Sequence, residues 1–230
     1  MKNLYVTIVL VLLTISCNAQ DNTTSDIIIP GQNPDLYPNN SVKIETHSDW
    51  AKTNYPYRIS VFKRDPLQYG DIVFLGNSIT EHGNDWGSRF DNAKVKNRGI
   101  SGDTTEGVLQ RLNEITYYKS EKVFLLIGFN DLIINSITSE YISENIISIV
   151  KNIHENSPNT KIYVQTVLPS TRTYLKEKIN AINSLLVAAE NSNEYQLVDL
   201  HNEFTTNEGL MNMSYSTDGV HLNEEGYGVW

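Results

Sequence analysis

Beyond residue 70, short apolar runs alternate with longer stretches in which apolar residues recur every three or four positions. Short runs bounded by glycine, proline or asparagine are typical of buried strands, and the longer repeats are typical of amphipathic helices. On this basis we predict strands at 71–75, 93–97, 122–127, 161–167 and 196–200, and helices at 104–112, 139–156 and 171–189.

The alternation of strands and helices predicts an α/β fold. Consecutive parallel strands need right-handed crossover connections, which place helices on both faces of the sheet. We therefore expect three layers, α/β/α, around a central and mostly parallel five-stranded sheet. Ligands bind beyond the carboxyl ends of the strands in such sheets, so functional residues are expected directly after each strand.

The first 40 residues follow a different pattern. Residues 4–16 are mostly apolar, too few to span a bilayer but suited to the core of a signal peptide. We predict a signal peptide at 1–19, a flexible arm rich in Asn, Asp, Thr and Pro at 20–40, and one domain at 41–230. The protein is therefore expected to be exported. Two endings of the signal remain open: lipidation of Cys17, which would attach the protein to a membrane, or cleavage before Gln20.

Composition narrows the classes of partner. Lys and Arg number 18 against 27 Asp and Glu, which gives a net charge of −9. We expect no binding to nucleic acid and no direct attraction to an anionic membrane, since both require basic patches. The single cysteine excludes an internal disulfide framework and a cysteine-based zinc site.

Three strand exits carry groups suited to acyl transfer. Ser78 follows the first strand, where it is either an exposed nucleophile or simply the cap of the next helix. Gly99 and Gly102 follow the second strand and allow a tight turn with exposed N–H groups. Asn130 follows the third strand, where its amide is either a hydrogen-bond donor to a ligand or part of an Asx turn.

Two histidines remain as candidates for a general base. His221 follows Asp218 by three residues, a spacing that would place both side chains on one face of a helical turn. His201 follows Asp199 by two residues, and in an extended chain these would also point the same way. In either pair the carboxylate would fix the imidazole tautomer and leave one ring nitrogen free to take a proton. His82 is expected to point away from the serine hydroxyl.

Four segments resemble, in chain order, the motifs of the GDSL or SGNH family of serine esterases, and the resemblance covers about residues 70–228: GNSIT at 76–80, NRGISGDT at 97–104, GFND at 128–131 and DGVHLNEEGY at 218–227. The resemblance implies a flavodoxin-like fold. It also implies a reaction that requires no metal or organic cofactor. It implies a triad of Ser78, His221 and Asp218, which favours His221 over His201.

The same resemblance implies an oxyanion hole formed by Ser78, Gly102 and Asn130. One departure is Asn77, which stands where the family usually has aspartate. The sequence around Gly102 is similar to that of the platelet-activating-factor acetylhydrolase-like branch and of bacterial carbohydrate acetylesterases. This implies that the substrate is a short acyl ester, above all an acetyl ester, of a small molecule or a glycan.

A rival hypothesis is a non-catalytic, surface glycan-binding module on the same fold. Trp50, Trp86 and the tyrosines are candidates to line a sugar site in either case. The complete set of four segments favours the enzyme, because a binding module has no need of them.

Overall fold

The computed structural model describes residues 36–39, 41–192 and 194–230. The predicted signal peptide, Cys17 and most of the predicted arm lie outside these residues. Within the described ranges, no helix is both long and apolar enough to cross a membrane.

A single sheet of five parallel strands forms the centre of the domain, in the order β2-β1-β3-β4-β5. The strands are β1 (Ile72–Gly76), β2 (Val95–Gly99), β3 (Lys122–Leu126), β4 (Lys161–Gln165) and β5 (Gln196–Val198). The helices are α1 (Asp49–Arg64), α2 (Ser78–Glu81), α3 (Trp86–Arg89), α4 (Thr105–Leu109), α5 (Asn113–Tyr117), α6 (Phe129–Leu132), α7 (Ser139–Asn156), α8 (Lys176–Ala189), α9 (Leu200–Glu203) and α10 (Glu224–Val229).

Alternate side chains of β1 enter two separate cores, as the pleat of a strand requires. Val73 and Leu75 belong to a core shared with α1, α5, α7 and α8. Phe74 belongs to the opposite core, where its ring stacks on Trp86 with 4.0 Å between ring centroids. The sheet is thus covered on both faces, which confirms the predicted three-layer α/β/α fold.

The long helix α7 spans the residues predicted for it. Its isoleucines at positions 142, 146, 149 and 153 are all buried against the sheet, as their spacing indicated. Its cap is Thr138, whose side chain accepts a hydrogen bond from the Tyr141 N–H.

Two predicted helices are shorter than their apolar patterns suggested. The segment predicted as one helix at 104–112 is capped by Thr104 and ends at Leu109, after which Arg111 turns inward and α5 begins. The segment predicted at 171–189 starts with a 3₁₀ turn at Thr173–Leu175 before α8.

The N-terminal part of the domain differs most from the prediction. Helix α1 was not predicted, yet it buries Ala51 and Tyr55 together with Ile59 and Phe62. Within the predicted arm, Leu36 and Tyr37 are buried in the core. The Tyr37 hydroxyl donates to the Glu114 carboxylate at 2.8 Å, so Leu36 and Tyr37, near the end of the predicted arm, pack against the domain.

Candidate active site

Ser78 lies just beyond the carboxyl end of β1, which pairs with β2 on one side and β3 on the other. Asn77 caps α2, its side-chain oxygen accepting the Ile79 N–H at 3.0 Å. The interpretation of Ser78 as the cap is therefore wrong, and Asn77 performs that role with an amide in place of the usual carboxylate. The Ser78 hydroxyl is left to meet His221, whose Nε2 is 2.9 Å from Ser78 Oγ.

His221 and Asp218 occupy a loop before α10 and not a helical turn as predicted. One Asp218 oxygen accepts the backbone N–H groups of Val220 at 3.0 Å and His221 at 2.8 Å. The other oxygen is 2.8 Å from His221 Nδ1. The loop requires Gly219, which has φ +82° and where a Cβ would come within 2.0 Å of Thr171.

The electrostatics of this pair fix the histidine tautomer. Burial raises the pKa of Asp218, but the hydrogen bonds from the His221 side chain and from the two backbone N–H groups outweigh it and hold the pKa at about 2. The carboxylate is therefore ionised at neutral pH and accepts the Nδ1–H. Nε2 is left as an acceptor for the Ser78 hydroxyl proton.

Gly102 and Asn130 lie beside this pair. Gly102 has φ +81°, in the left-handed region that favours glycine. The Asn130 amide N–H donates to the Asp103 carbonyl at 2.8 Å, so it bonds a loop that precedes it by 27 residues. Both residues line one cavity of about 510 Å³ with Ser78 and His221.

A buried ion pair holds the loop that carries Gly102. The fully buried carboxylate of Asp103 lies 2.9 Å from the Arg111 guanidinium and 2.9 Å from His47 Nε2. Arg111 also donates to the carbonyls of Arg98 and Gly76, at the ends of β2 and β1. Sequence reasoning missed this network, because nothing in the sequence indicates that His47 and Arg111 meet at Asp103.

Asp131 anchors the other side of the site. It is fully buried, and its carboxylate accepts both the backbone N–H and the hydroxyl of Thr105. Burial raises the pKa of Asp131 to about 7 against the lowering effect of the Thr105 hydrogen bonds. This contact ties α6, which carries Asn130, to the start of α4.

The remaining histidines divide between the site and the periphery. His201 contacts Thr205, and Asp199 caps α9, so these two do not form the alternative pair. His82 was predicted to point away, and this is wrong. The His82 ring lies 5.1 Å from the His221 ring. His82 follows Ser78 by four residues, and residues four apart on a helix share a face.

The two tryptophans also differ. Trp50 lines the cavity with Ser78 and is 60% exposed. Trp86 is 1% exposed and its indole N–H donates to the Thr80 carbonyl, so it is a core residue and not part of a sugar site. The other residues that line the cavity are Asn54, Glu81, His82 and Ser101.

Residues 74–229 match the model of the GDSL-like Lipase/Acylhydrolase family. Platelet-activating factor acetylhydrolase IB subunit alpha2 of Rattus norvegicus is 27% identical over 203 residues, which cover 85% of this chain and 86% of the relative. A GDSL-like lipase from Bacteroides thetaiotaomicron has a TM-score of 0.66 and 25% identity, covering 79% of this chain and 94% of the lipase. An acetyl xylan esterase, at 17% identity and a TM-score of 0.56 over 69% of this chain and 94% of its own, shares the fold.

The family match spans most of the domain, from the middle of β1 to α10. It includes all four segments on which the resemblance rested. The chain therefore belongs to the GDSL-like lipase/acylhydrolase family and is an enzyme that hydrolyses esters.

Proposed function

We propose that the enzyme is a serine esterase that removes short acyl groups, above all acetyl, from carbohydrate or other polar alcohols. The observation that carries this proposal is the continuous hydrogen-bond chain from Ser78 Oγ through His221 to Asp218. Each step of the chain is within 2.9 Å, and Asn77 leaves the serine hydroxyl free to join it.

The chain of contacts suits a two-step mechanism. Ser78 Oγ attacks the ester carbonyl while His221 Nε2 takes its proton, and the ionised Asp218 stabilises the resulting imidazolium. His221 then gives the proton to the departing alcohol oxygen. Water, deprotonated by His221, attacks the acyl-enzyme in the same way and releases the acid.

In this mechanism we assign three donors to the carbonyl oxygen, from residues that line one cavity. They are the Ser78 N–H at the start of α2, the Gly102 N–H and the Asn130 amide. Fixed donors of this kind stabilise the negative charge that develops in the tetrahedral intermediate. The Asp103–Arg111 pair holds the loop that carries Gly102, and the Asp131–Thr105 contact holds α6, which carries Asn130.

The preference for short acyl groups rests on the composition of the cavity. A long acyl chain requires an apolar channel, but Trp50 is the only large apolar side chain among the residues that line this cavity. The rat relative is by name an acetylhydrolase, which agrees with a small acyl group.

The triad is tested by covalent labelling. A fluorophosphonate should add once per molecule, at Ser78, because only a base-activated serine is sufficiently nucleophilic. Peptide mass mapping locates the adduct, and Ser78→Ala should remove both the label and the hydrolysis of p-nitrophenyl acetate. The control is Ser88→Ala, in the exposed α3 turn, which should label normally. An adduct at another serine would contradict the triad.

We also propose that residues 1–19 direct export of the enzyme. The apolar stretch at 4–16 supports this. The mature chain then begins either at a lipidated Cys17 or at Gln20.

A further inference from the structure

Trp50 is placed unusually for an aromatic residue of this size. It lies on the first turn of α1, and its ring covers Gly102, where a Cβ would come within 3.1 Å of Trp50 Cζ3. The indole remains 60% exposed although it lines the cavity that contains Ser78. A rigid aromatic surface left open beside a nucleophile is available to the substrate.

The helix that carries Trp50 is fixed against the site. Trp50, Asn54 and Arg58 are spaced four apart and share one face of α1. The Asn54 amide donates to the Ser101 carbonyl at 3.0 Å, and Arg58 donates to the Gly99 carbonyl at 3.3 Å. Helix α1, which forms this wall of the cavity, precedes residues 74–229 that match the family model.

This wall of the cavity continues to Ser101 and His82, on the side from which the alcohol departs. Ser101 Oγ lies 3.4 Å from His82 Nε2, and the His82 ring is 5.1 Å from that of His221. The departing oxygen must receive its proton from His221, so the alcohol portion of the ester lies along His82. A second cavity, of about 960 Å³, opens beyond Glu81 and His82 towards the edge strand β2, which provides room for a large alcohol.

The chemistry of the wall favours a neutral, hydroxyl-rich ring. Burial, reinforced by the neighbouring His221, lowers the pKa of His82, so its imidazole is neutral at neutral pH and offers one donor and one acceptor. The Glu81 carboxylate is already engaged by Arg58 at 3.1 Å and by the Ser101 N–H. No free carboxylate is therefore left among the residues lining the cavity to attract a cationic alcohol such as choline.

We propose that Trp50, Asn54, Ser101 and His82 form a leaving-group subsite for a pyranose, whose C–H face stacks on the indole while its hydroxyls bond the polar groups. This subsite rests on the esterase function proposed above. It makes α1 the element that selects the alcohol, whereas Ser78, Gly102 and Asn130 act on the acyl carbonyl.

The test compares two acetate esters that differ only in their alcohol: an O-acetylated methyl xylopyranoside and ethyl acetate. Trp50→Ala should lower kcat/KM for the pyranoside about tenfold, the size of one aromatic stacking contact, and should change kcat/KM for ethyl acetate less than about twofold. Trp50→Phe should retain most of the pyranoside activity. Tyr57→Ala removes a ring on the same helix that is 61% exposed but outside the cavity, and should change neither ester.

Equal losses on both esters would overturn the subsite, because Trp50 would then act only through the Gly102 loop. A larger loss on acetylcholine than on the pyranoside would also overturn it in favour of a cation site. If the enzyme hydrolyses ethyl acetate normally and Trp50→Ala does not change kcat/KM for the pyranoside, the subsite is refuted but the esterase function is not. A wild-type enzyme that hydrolyses no ester and takes no fluorophosphonate refutes the triad, and the subsite with it.

Discussion

The side-chain amide of Asn130 makes one hydrogen bond to the protein and has a second N–H available for a substrate. One N–H donates to the Asp103 carbonyl, and a primary amide nitrogen carries a second N–H that a substrate oxygen can accept. The bond to Asp103 orients the amide before substrate arrives. Orientation in advance is what makes such donors effective, because no reorganisation is needed as charge develops.

Replacing Asn130 tests this dual role. Asn130→Ala should lower kcat about 10²–10³-fold with a much smaller change in KM, because the lost donor acts mainly on the charged intermediate. The measurement is kcat per active site, counted by fluorophosphonate labelling, together with the thermal midpoint of the same sample. A large fall in the midpoint with kcat per labelled site preserved would make Asn130 a structural residue only.

At the scale of residues, sequence reasoning succeeded where a motif encodes local geometry. Ser78 lies just beyond β1, at the edge of the sheet where the strands of a parallel sheet end, and the structure brings its hydroxyl to within 2.9 Å of His221 Nε2. The helical turn expected for Asp218 was wrong, since that carboxylate bonds two backbone N–H groups of a loop instead. His47 and Arg111 were out of reach, because their meeting at Asp103 depends on the packing of α1 and α4 and on no local pattern.

The attachment of the short helix α6 to α4 depends on one buried acid, Asp131. Asp131 lies on α6, next to Asn130, and its pKa is raised to about 7 by burial. An acid with a raised pKa in the folded state stabilises the fold fully below its unfolded pKa of about 4, and this contribution is lost as pH rises through about 7. The hold of α6 on α4 should therefore weaken in mildly alkaline solution.

Asp131→Asn removes this titration while leaving an oxygen to accept the Thr105 donors. From pH 5 to pH 8, the free energy of unfolding of the variant should rise relative to wild type by about 2–3 kcal/mol. Urea unfolding of both proteins at pH 5, 6.5 and 8 measures the difference. If the difference stays constant across this range, the Asp131 carboxyl is not protonated in the folded enzyme.

Among the elements, α7 was predictable because its apolar residues recur every three or four positions. The five strands were predictable from short runs between the helices, although β2 begins two residues later than predicted, and β4 and β5 each end two residues earlier. Helix α1 was not, since it contains Pro56 in its interior, which removes one backbone hydrogen bond, and its residues are polar on average. What stabilises α1 is burial of Tyr55, Ile59 and Phe62 against the rest of the domain. This stabilisation is tertiary and is not visible in a local window of sequence.

At the scale of the whole molecule, the alternation of strands and helices was enough to predict the layered architecture. The order β2-β1-β3-β4-β5 places β1 inside the sheet, so the nucleophile follows a strand that has a neighbour on each side and not an edge strand. Helix α1 lies before the region matched to the family model, and it contributes Trp50 and Asn54 to the lining of the catalytic cavity.

Export makes a prediction about the complete protein. Enzyme isolated from its native cells should begin at Cys17 with the added mass of a lipid, or at Gln20 without it, because signal peptides are removed on export. Intact mass and N-terminal peptide mapping distinguish the two. Cys17→Ser should release the protein from the membrane fraction in the first case and have no effect in the second. A mature protein that retains residues 1–16 contradicts export.

The distance along the chain between Ser78 and His221 has a consequence for biosynthesis. These residues are 143 positions apart, and the Tyr227 hydroxyl, which bonds the Ile79 carbonyl from α10, is 148 positions from its partner. A ribosome makes the nucleophile long before it makes the base and the helix that braces them. The nascent chain is therefore inert towards esters, and hydrolysis begins only when His221 and α10 have been translated and docked.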